Sequence, residues 1–286
     1  MGDALVASVL SVGIGLWVWL YLRYGREPPV APQPEYLEDP PYDWTPIQLA
    51  RVWNSEGVEY KDFVATLLDM ARRGVLSLMA EPVTVLAAEG IAGTTQEYEY
   101  SILRAAGSTG HLSEAERYLV EKVLCIKASG RWISYRDLLV EGARNWPELE
   151  ARFGRWADLA EEEPLPMPLR DPLSARMSWR GMAIALSLML VTYPLCSLKT
   201  AYAVLPFAAG AIMMMLSFTI ERRNPNAALA RAKWDAYRRH LLDHTTLANE
   251  PPHAVEVWGK QAVYAATLGV ATKMVDAFEW SEKLYD

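Results

Sequence analysis

The sequence is poor in the residues that usually carry chemistry. Its 286 residues include two cysteines and four histidines. Cys125 and Cys196 stand far apart and form no C-x-x-C pair, which argues against a disulfide framework or a cysteine-built metal cage. Two small buried side chains are expected there instead. His240 and His244 have the i, i+4 spacing of helix-borne metal ligands. The intervening Leu241-Leu242-Asp243 makes no HExxH, however, and no third ligand accompanies Asp243, so a solvated helix end is expected. His111 and His253 fall at expected helix starts. There is no glycine-rich phosphate loop, no GxSxG and no SxxK. Gly13-Ile14-Gly15 lies inside an apolar run and suits close helix packing. The acidic triple Glu161–Glu163 reads as a solvated helix end, and Met213-Met214-Met215 as packing residues. No catalytic, cofactor-binding or metal-binding residue is assigned, no cofactor is expected, and the chain is not expected to be an enzyme.

Positive charge is also short. Lysine and arginine number 28 against 35 aspartates and glutamates, a formal charge of -7. Over residues 27–177 the imbalance is 25 acidic to 15 basic. Nucleic-acid binding rests on phosphate neutralisation by lysine and arginine, so this composition argues against a nucleic-acid partner.

Charge of either sign is missing altogether from three stretches. Residues 4–22, 181–198 and 200–220 contain no Asp, Glu, Lys or Arg. About 20 apolar residues cross a bilayer whose hydrocarbon core is roughly 30 Å thick. The sequence therefore predicts three transmembrane helices: an N-terminal anchor over 1–26 and a helical hairpin over 179–220 that turns at Ser197-Leu198-Lys199-Thr200. Asp3 precedes the first run, Arg23 and Arg26 follow it, and no small-residue cleavage site appears, so a retained anchor is expected and not a signal peptide. Trp17, Trp19, Tyr21 and Tyr24 suit an interfacial aromatic belt. Pro194 and Pro206 fall near the outer ends of the hairpin. Arg23, Arg26, Arg170, Arg176, Arg180, Arg222, Arg223 and Arg231 flank the runs on one side, and Lys199 alone lies in the turn. The positive-inside rule then predicts a multi-pass protein of the cell membrane, with the N-terminus outside and 23–179 and 221–286 cytoplasmic.

Between the anchor and the hairpin, 27–43 is a proline-rich linker, expected to be a semi-rigid spacer. Thr45, Pro46 and Gln48 make a helix-opening capping box. Tyr60, Val64, Leu67, Leu68 and Ala71 form one helical face, which Gly74 ends as a C′ residue. Val75–Met79 and Glu97–Ile102 read as strands around a wing-tip loop at 87–95, and Ser113 with Glu116 opens another helix. Helix, helix, two strands and helix suit a winged-helix-like cytoplasmic domain over 44–128. A second small domain of helical or winged-helix-like type is expected over 129–178. It holds a short strand at Arg131–Ile133, a helix capped by Ser134 and another starting at Trp146-Pro147. The segment 221–286 is expected to hold two cytoplasmic helices. The first buries Ala230, Trp234, Tyr237 and Leu241; the second runs from about Ala254 to Trp280. The apolar centre of the second, 262–272, is too short to span and is bracketed by Lys260 and Lys273.

Two segments carry a resemblance. Residues 64–76, VATLLDMARRGVL, and Trp258 followed by 262–271, AVYAATLGVA, after the Trp234-x-x-Tyr237 helix, resemble the cytoplasmic and membrane half of the DUF2207 family of predicted membrane proteins. The similarity covers most of 20–280. It implies the architecture above, and it brings no catalytic residue. The family usually carries a β-rich extracytoplasmic domain before its first membrane helix; this chain is expected to lack it, so no function of such a domain is expected unless a separate chain supplies it. The whole reads as a mainly α membrane protein whose partners are the lipid bilayer and a protein, either another chain or a second copy. The expected role is a non-enzymatic scaffold or assembly component. The alternatives are a membrane-tethered winged-helix transcription regulator, with Arg72 and Arg73 near DNA, and a subunit of an oligomeric transporter or channel.

Overall fold

The computed structural model describes residues 2–27, 29–54, 57–86, 94–104, 112–125, 132–196 and 202–278. In chain order, α1 is Gly2–Leu20, continued by a π-helical turn over Tyr21–Gly25. Then follow α2 (Pro46–Asn54), α3 (Tyr60–Arg72), β1 (Leu76–Leu86) and β2 (Thr94–Arg104). Next come α4 (Glu114–Tyr118), continued by a π-helical turn over Leu119–Val123, β3 (Ile133–Ser134), α5 (Tyr135–Arg144) and α6 (Trp146–Glu162). The long α7 (Pro172–Cys196) precedes α8 (Leu205–Leu216), which ends in a 3-10 turn over Ser217–Ile220. The chain closes with α9 (Pro225–His244), α10 (Val255–Trp258), α11 (Lys260–Thr267) and α12 (Thr272–Asp276). The chain divides into two compact units. One contains residues 1–32 and 167–232, the other residues 33–166 and 233–286.

In the first unit, α1, α7 and α8 pack side by side. Val6 meets Leu195 and Ala203 at one end. Trp17 and Leu20 meet Met177 and Ile220 towards the other. Thus α1 and α8 run parallel, and α7 runs against both. Gly210 permits the closest approach: a Cβ there would lie 2.6 Å from the carbonyl oxygen of Ala185. Polar groups inside the bundle bond one another, as apolar surroundings require. Trp17 Nε1 donates to Ser217 Oγ at 3.0 Å, and Ser178 Oγ donates to the Ser217 carbonyl at 2.9 Å. Outside the helical ends, the Asp171 amide donates to the Arg222 carbonyl, and Asn224 donates to the Leu169 carbonyl. An Arg222–Asp171 ion pair at 2.9 Å reinforces this clip.

Three spans were expected, and the structure corrects that number. Among the described residues two helices, Gly2–Gly25 and Pro172–Cys196, are long and apolar enough to cross a membrane. The third apolar run yields the shorter helix Leu205–Ile220. Residues Tyr202–Val204 form a turn, and the last four residues tighten into 3-10 geometry, so fewer residues remain for α-helix than the uncharged run contains. The expected turn at 197–200, including Lys199, lies outside the described residues.

In the second unit α3 is the centre. Its sequence suggests one apolar face, yet Asp62 to Met70 are all buried, because α2, α10, α11, α12 and β1 surround it. The cap expected at Gly74 forms: φ is +73°, Val75 donates to the Met70 carbonyl and Gly74 to that of Ala71. Such a conformation favours glycine. Antiparallel β1 and β2 pair from Leu76 opposite Arg104 to Leu86 opposite Thr94, well beyond the strands read from sequence. The centre of the expected wing tip, 87–93, lies outside the described residues. The strand at Ile133, expected in a domain beginning at 129, pairs with Ser101 and Ile102 of β2, giving the order β1-β2-β3; Arg131 is outside the described residues.

Three other expectations change. From Gln33 the proline-rich linker belongs to the second unit: Leu37 donates to the Ala236 carbonyl, and Tyr36 packs on His244. The final helix is broken into α10, α11 and α12, because Gly259 and Gly269 adopt φ of +56° and +70°; its Trp280 end is outside the described residues. Both cysteines are exposed, not buried. Cys196 is the last residue of α7, and Cys125 follows the π-helical turn with φ of +51°.

Candidate functional site

A small charged recess in the second unit lies where the linker, the C-terminal end of α3 and α11 meet. Asp43, Trp44, Asp69, Arg72, Arg73, Lys260 and Tyr264 line it. The two arginines are placed by local sequence. Asp69, Arg72 and Arg73 occupy one end of α3 at i, i+3 and i+4, the spacing that lets side chains meet on a helix. Arg72 Nη2 lies 2.8 Å from Asp69 Oδ1, and Arg73 Nε lies 2.8 Å from Asp69 Oδ2. Arg73 reaches further, to Glu116, whose other oxygen accepts from the Ser113 amide in the expected capping box. Lys260 pairs with Asp43, and that bond holds the Asp43 carboxyl below its usual range. Tyr264 donates to the Trp44 carbonyl at 3.0 Å, and burial raises its phenol. Three cations thus face three carboxylates. The cleft encloses about 130 Å³, below the roughly 300–1,000 Å³ of small-molecule sites. Its chemistry is that of a clamp: it ties together segments more than two hundred residues apart in the chain.

Beneath the clamp lies an aromatic core. Trp234 contacts Trp44, Tyr237 and Tyr264 with ring centroids 5.9, 5.7 and 5.0 Å away. On α11, Ala262, Val263 and Tyr264 are buried, and this helix packs directly on α3. The segments VATLLDMARRGVL and AVYAATLGVA therefore meet in space. Over residues 33–278 the chain matches the family described as predicted membrane protein (DUF2207), C-terminal domain. The chain belongs to the DUF2207 family. No curated protein and no solved structure matches it, so a winged-helix likeness of this DUF2207 protein rests on the order of its elements alone.

A buried carboxylate escaped the sequence reading. Asp62 is fully buried at the start of α3. Its Oδ2 accepts from the Glu59 amide at 2.8 Å and from Asn54 Nδ2 at 2.9 Å, while Oδ1 has no partner. Burial pushes its carboxyl up to about 7. The sequence signal was present as an acidic residue three positions after Glu59, the second half of a capping box.

The residues singled out in the DUF2207 sequence fall as follows. His240 and His244 are neighbours on α9, with ring centroids 5.3 Å apart. Among the described residues no group of three or more His, Cys, Asp or Glu side chains could hold a metal ion. His253 packs against Tyr98 at 5.0 Å; His111 lies outside the described residues. Glu161 and Glu162 are exposed at the end of α6, whereas Glu163 is half-buried and its carbonyl accepts from Arg51. Gly13 packs on Leu188, but Gly15 has open space where a Cβ would stand. Met213 is buried and Met215 exposed.

Proposed function

We propose that this DUF2207 protein is a non-enzymatic component of a membrane assembly. Its first unit sits in the bilayer, and its second unit offers a cytoplasmic surface to a protein partner. The membrane part is supported by the outer surface of the first unit. Val12, Leu16, Trp19, Leu190, Ile212, Met215 and Phe218 are exposed there. In water such a surface would cost about 25 cal/mol for each Å² left uncovered; in lipid it costs nothing. The bundle supports one topology. The helix order brings Arg23, Arg176, Arg180, Arg222 and Arg223 to one end, opposite Cys196. The arginine end faces the cytoplasm by the positive-inside rule. In this reading α1 and α7 are the two helices that cross, and the shorter α8 packs back along α7 towards the arginine end.

The observation that carries the interaction surface is aromatic exposure on one short segment. Trp132 and Trp146 are 38% and 46% exposed on either side of α5, with Val140 between them in sequence. Tryptophan is enriched among the residues that dominate protein interfaces. Affinity purification of the intact chain in mild detergent should recover a stoichiometric protein, and Trp132→Ser with Trp146→Ser should release it. Recovery unchanged by the double substitution would remove this surface from the account. The winged-helix-like order of α2, α3, β1 and β2 fits an interaction module better than a DNA reader, because Arg72 and Arg73 are held by Asp69 and Glu116.

A further inference from the structure

We infer that the groove between α1 and α7 is a binding site for one anionic glycerophospholipid, with an acyl chain along the helices and its phosphate against Arg23, Arg176 and Arg180. The inference rests on the membrane reading of α1 and α7 and not on the interaction surface. The groove has a volume of about 570 Å³ and an almost wholly apolar lining, including Val12 and Leu16 of α1 and Ala183, Ile184, Ser187 and Val191 of α7. Gly13 lets Leu188 sit where a Cβ would be, which brings the two helices together at the groove floor. The volume lies within the range of ligand pockets, and the shape is long, since the lining spans two turns of each helix.

Helical periodicity carries the α7 wall into basic residues. Arg180 precedes Ile184 by four positions and Ser187 by seven, and Arg176 precedes Ala183 by seven. Residues at these intervals share a face. On the facing wall Arg23 lies in the π-helical turn that continues α1 beyond Leu16. Because α1 and α7 run oppositely, all three arginines come to the same end of the groove. Their pairing differs from that of their neighbours. Arg170 is bonded to Glu221 and Arg222 to Asp171. Among the described residues Arg23, Arg176 and Arg180 have no carboxylate partner, and Arg180 Nη1 donates to Met177 Sδ at 3.5 Å. Uncompensated cations at the interface end of an apolar groove complement an acyl chain that ends in a phosphate diester. A second copy of the chain would bring its own arginines to the same place, which selects lipid as the occupant.

The test uses the intact chain, reconstituted in vesicles of phosphatidylcholine and phosphatidylglycerol in equal parts, extracted in mild detergent and examined by native mass spectrometry. Wild type should retain phosphatidylglycerol over phosphatidylcholine. Arg176→Gln with Arg180→Gln should lower that preference on the order of twenty-five-fold, about fivefold per arginine. Both positions are outside the bundle core, and unchanged thermal melting would show that the variant folds. Ser187→Phe, which fills the groove, should reduce retention of either lipid. Equal retention of the two lipids by wild type would overturn the site. So would a homodimer that Ser187→Phe abolishes, or full displacement of the lipid by inorganic phosphate. Failure of the chain to enter vesicles at all would instead overturn the membrane reading.

Discussion

Asp62 shows how one residue can make stability depend on pH. Its folded carboxyl titrates near 7 because burial penalises the charge, whereas an unfolded aspartate titrates near about 3.9. The neutral form is the one the fold prefers. The stabilisation is complete below about pH 4 and is lost as pH rises towards about 7. The melting temperature of the intact chain in detergent should therefore fall across that window, and Asp62→Asn should flatten most of the slope. Glu163, also raised by burial, leaves a smaller slope of the same sign. A wild-type slope retained in Asp62→Asn would contradict this assignment. Asp69 contributes through charge pairing, since it accepts from two arginines. Asp69→Ala should destabilise the second unit by about 2 kcal/mol, because it takes the carboxylate from partly buried Arg72 and leaves Arg73 with Glu116 alone; a chemical-denaturation midpoint unchanged by the substitution would show the clamp to be dispensable. Neither residue's role was readable in advance. The sequence shows an aspartate, and its effect depends on which segments bury it.

At the scale of elements, local chemistry was legible and long-range packing was not. Thr45 and Gln48 exchange their capping bonds at 3.2 Å in each direction. The Ser113–Glu116 box forms as expected, and Ser134 caps α5 by accepting from the Asp137 amide. The buried face of α9 contains the four residues read from periodicity: Ala230, Trp234, Tyr237 and Leu241. Each of these signals is short range. By contrast, the length of β1 and β2 depends on their pairing, the burial of α3 on five neighbours, and the breaks at Gly259 and Gly269 on glycines that helical patterns often tolerate. The third apolar run likewise reads as a span by composition, while its helix is shortened at both ends. Packing of that helix should be sensitive to size at Gly210. Gly210→Ile would drive a branched side chain into the Ala185 carbonyl and Met189, and it should lower the thermal stability of the detergent-solubilised chain by several degrees. Tolerance of isoleucine there would show that α8 does not pack closely on α7.

At the scale of the molecule, the central claim is that α1 and α7 cross the bilayer with the arginine end inside. The clamp, the aromatic core and the exposed tryptophans then all belong to the cytoplasm. That assignment rests on charge distribution, which sequence shows directly, and on helix order, which only the bundle reveals. The two native cysteines supply the test, because both are exposed and they lie in different units. Cys196 ends α7, opposite the arginines, and Cys125 lies in the second unit. An impermeant thiol reagent applied to intact cells should label Cys125→Ser, which keeps Cys196, and should leave Cys196→Ser unlabelled until the cells are lysed. Labelling of Cys125 in intact cells, with Cys196 protected until lysis, would contradict the account by placing the second unit outside.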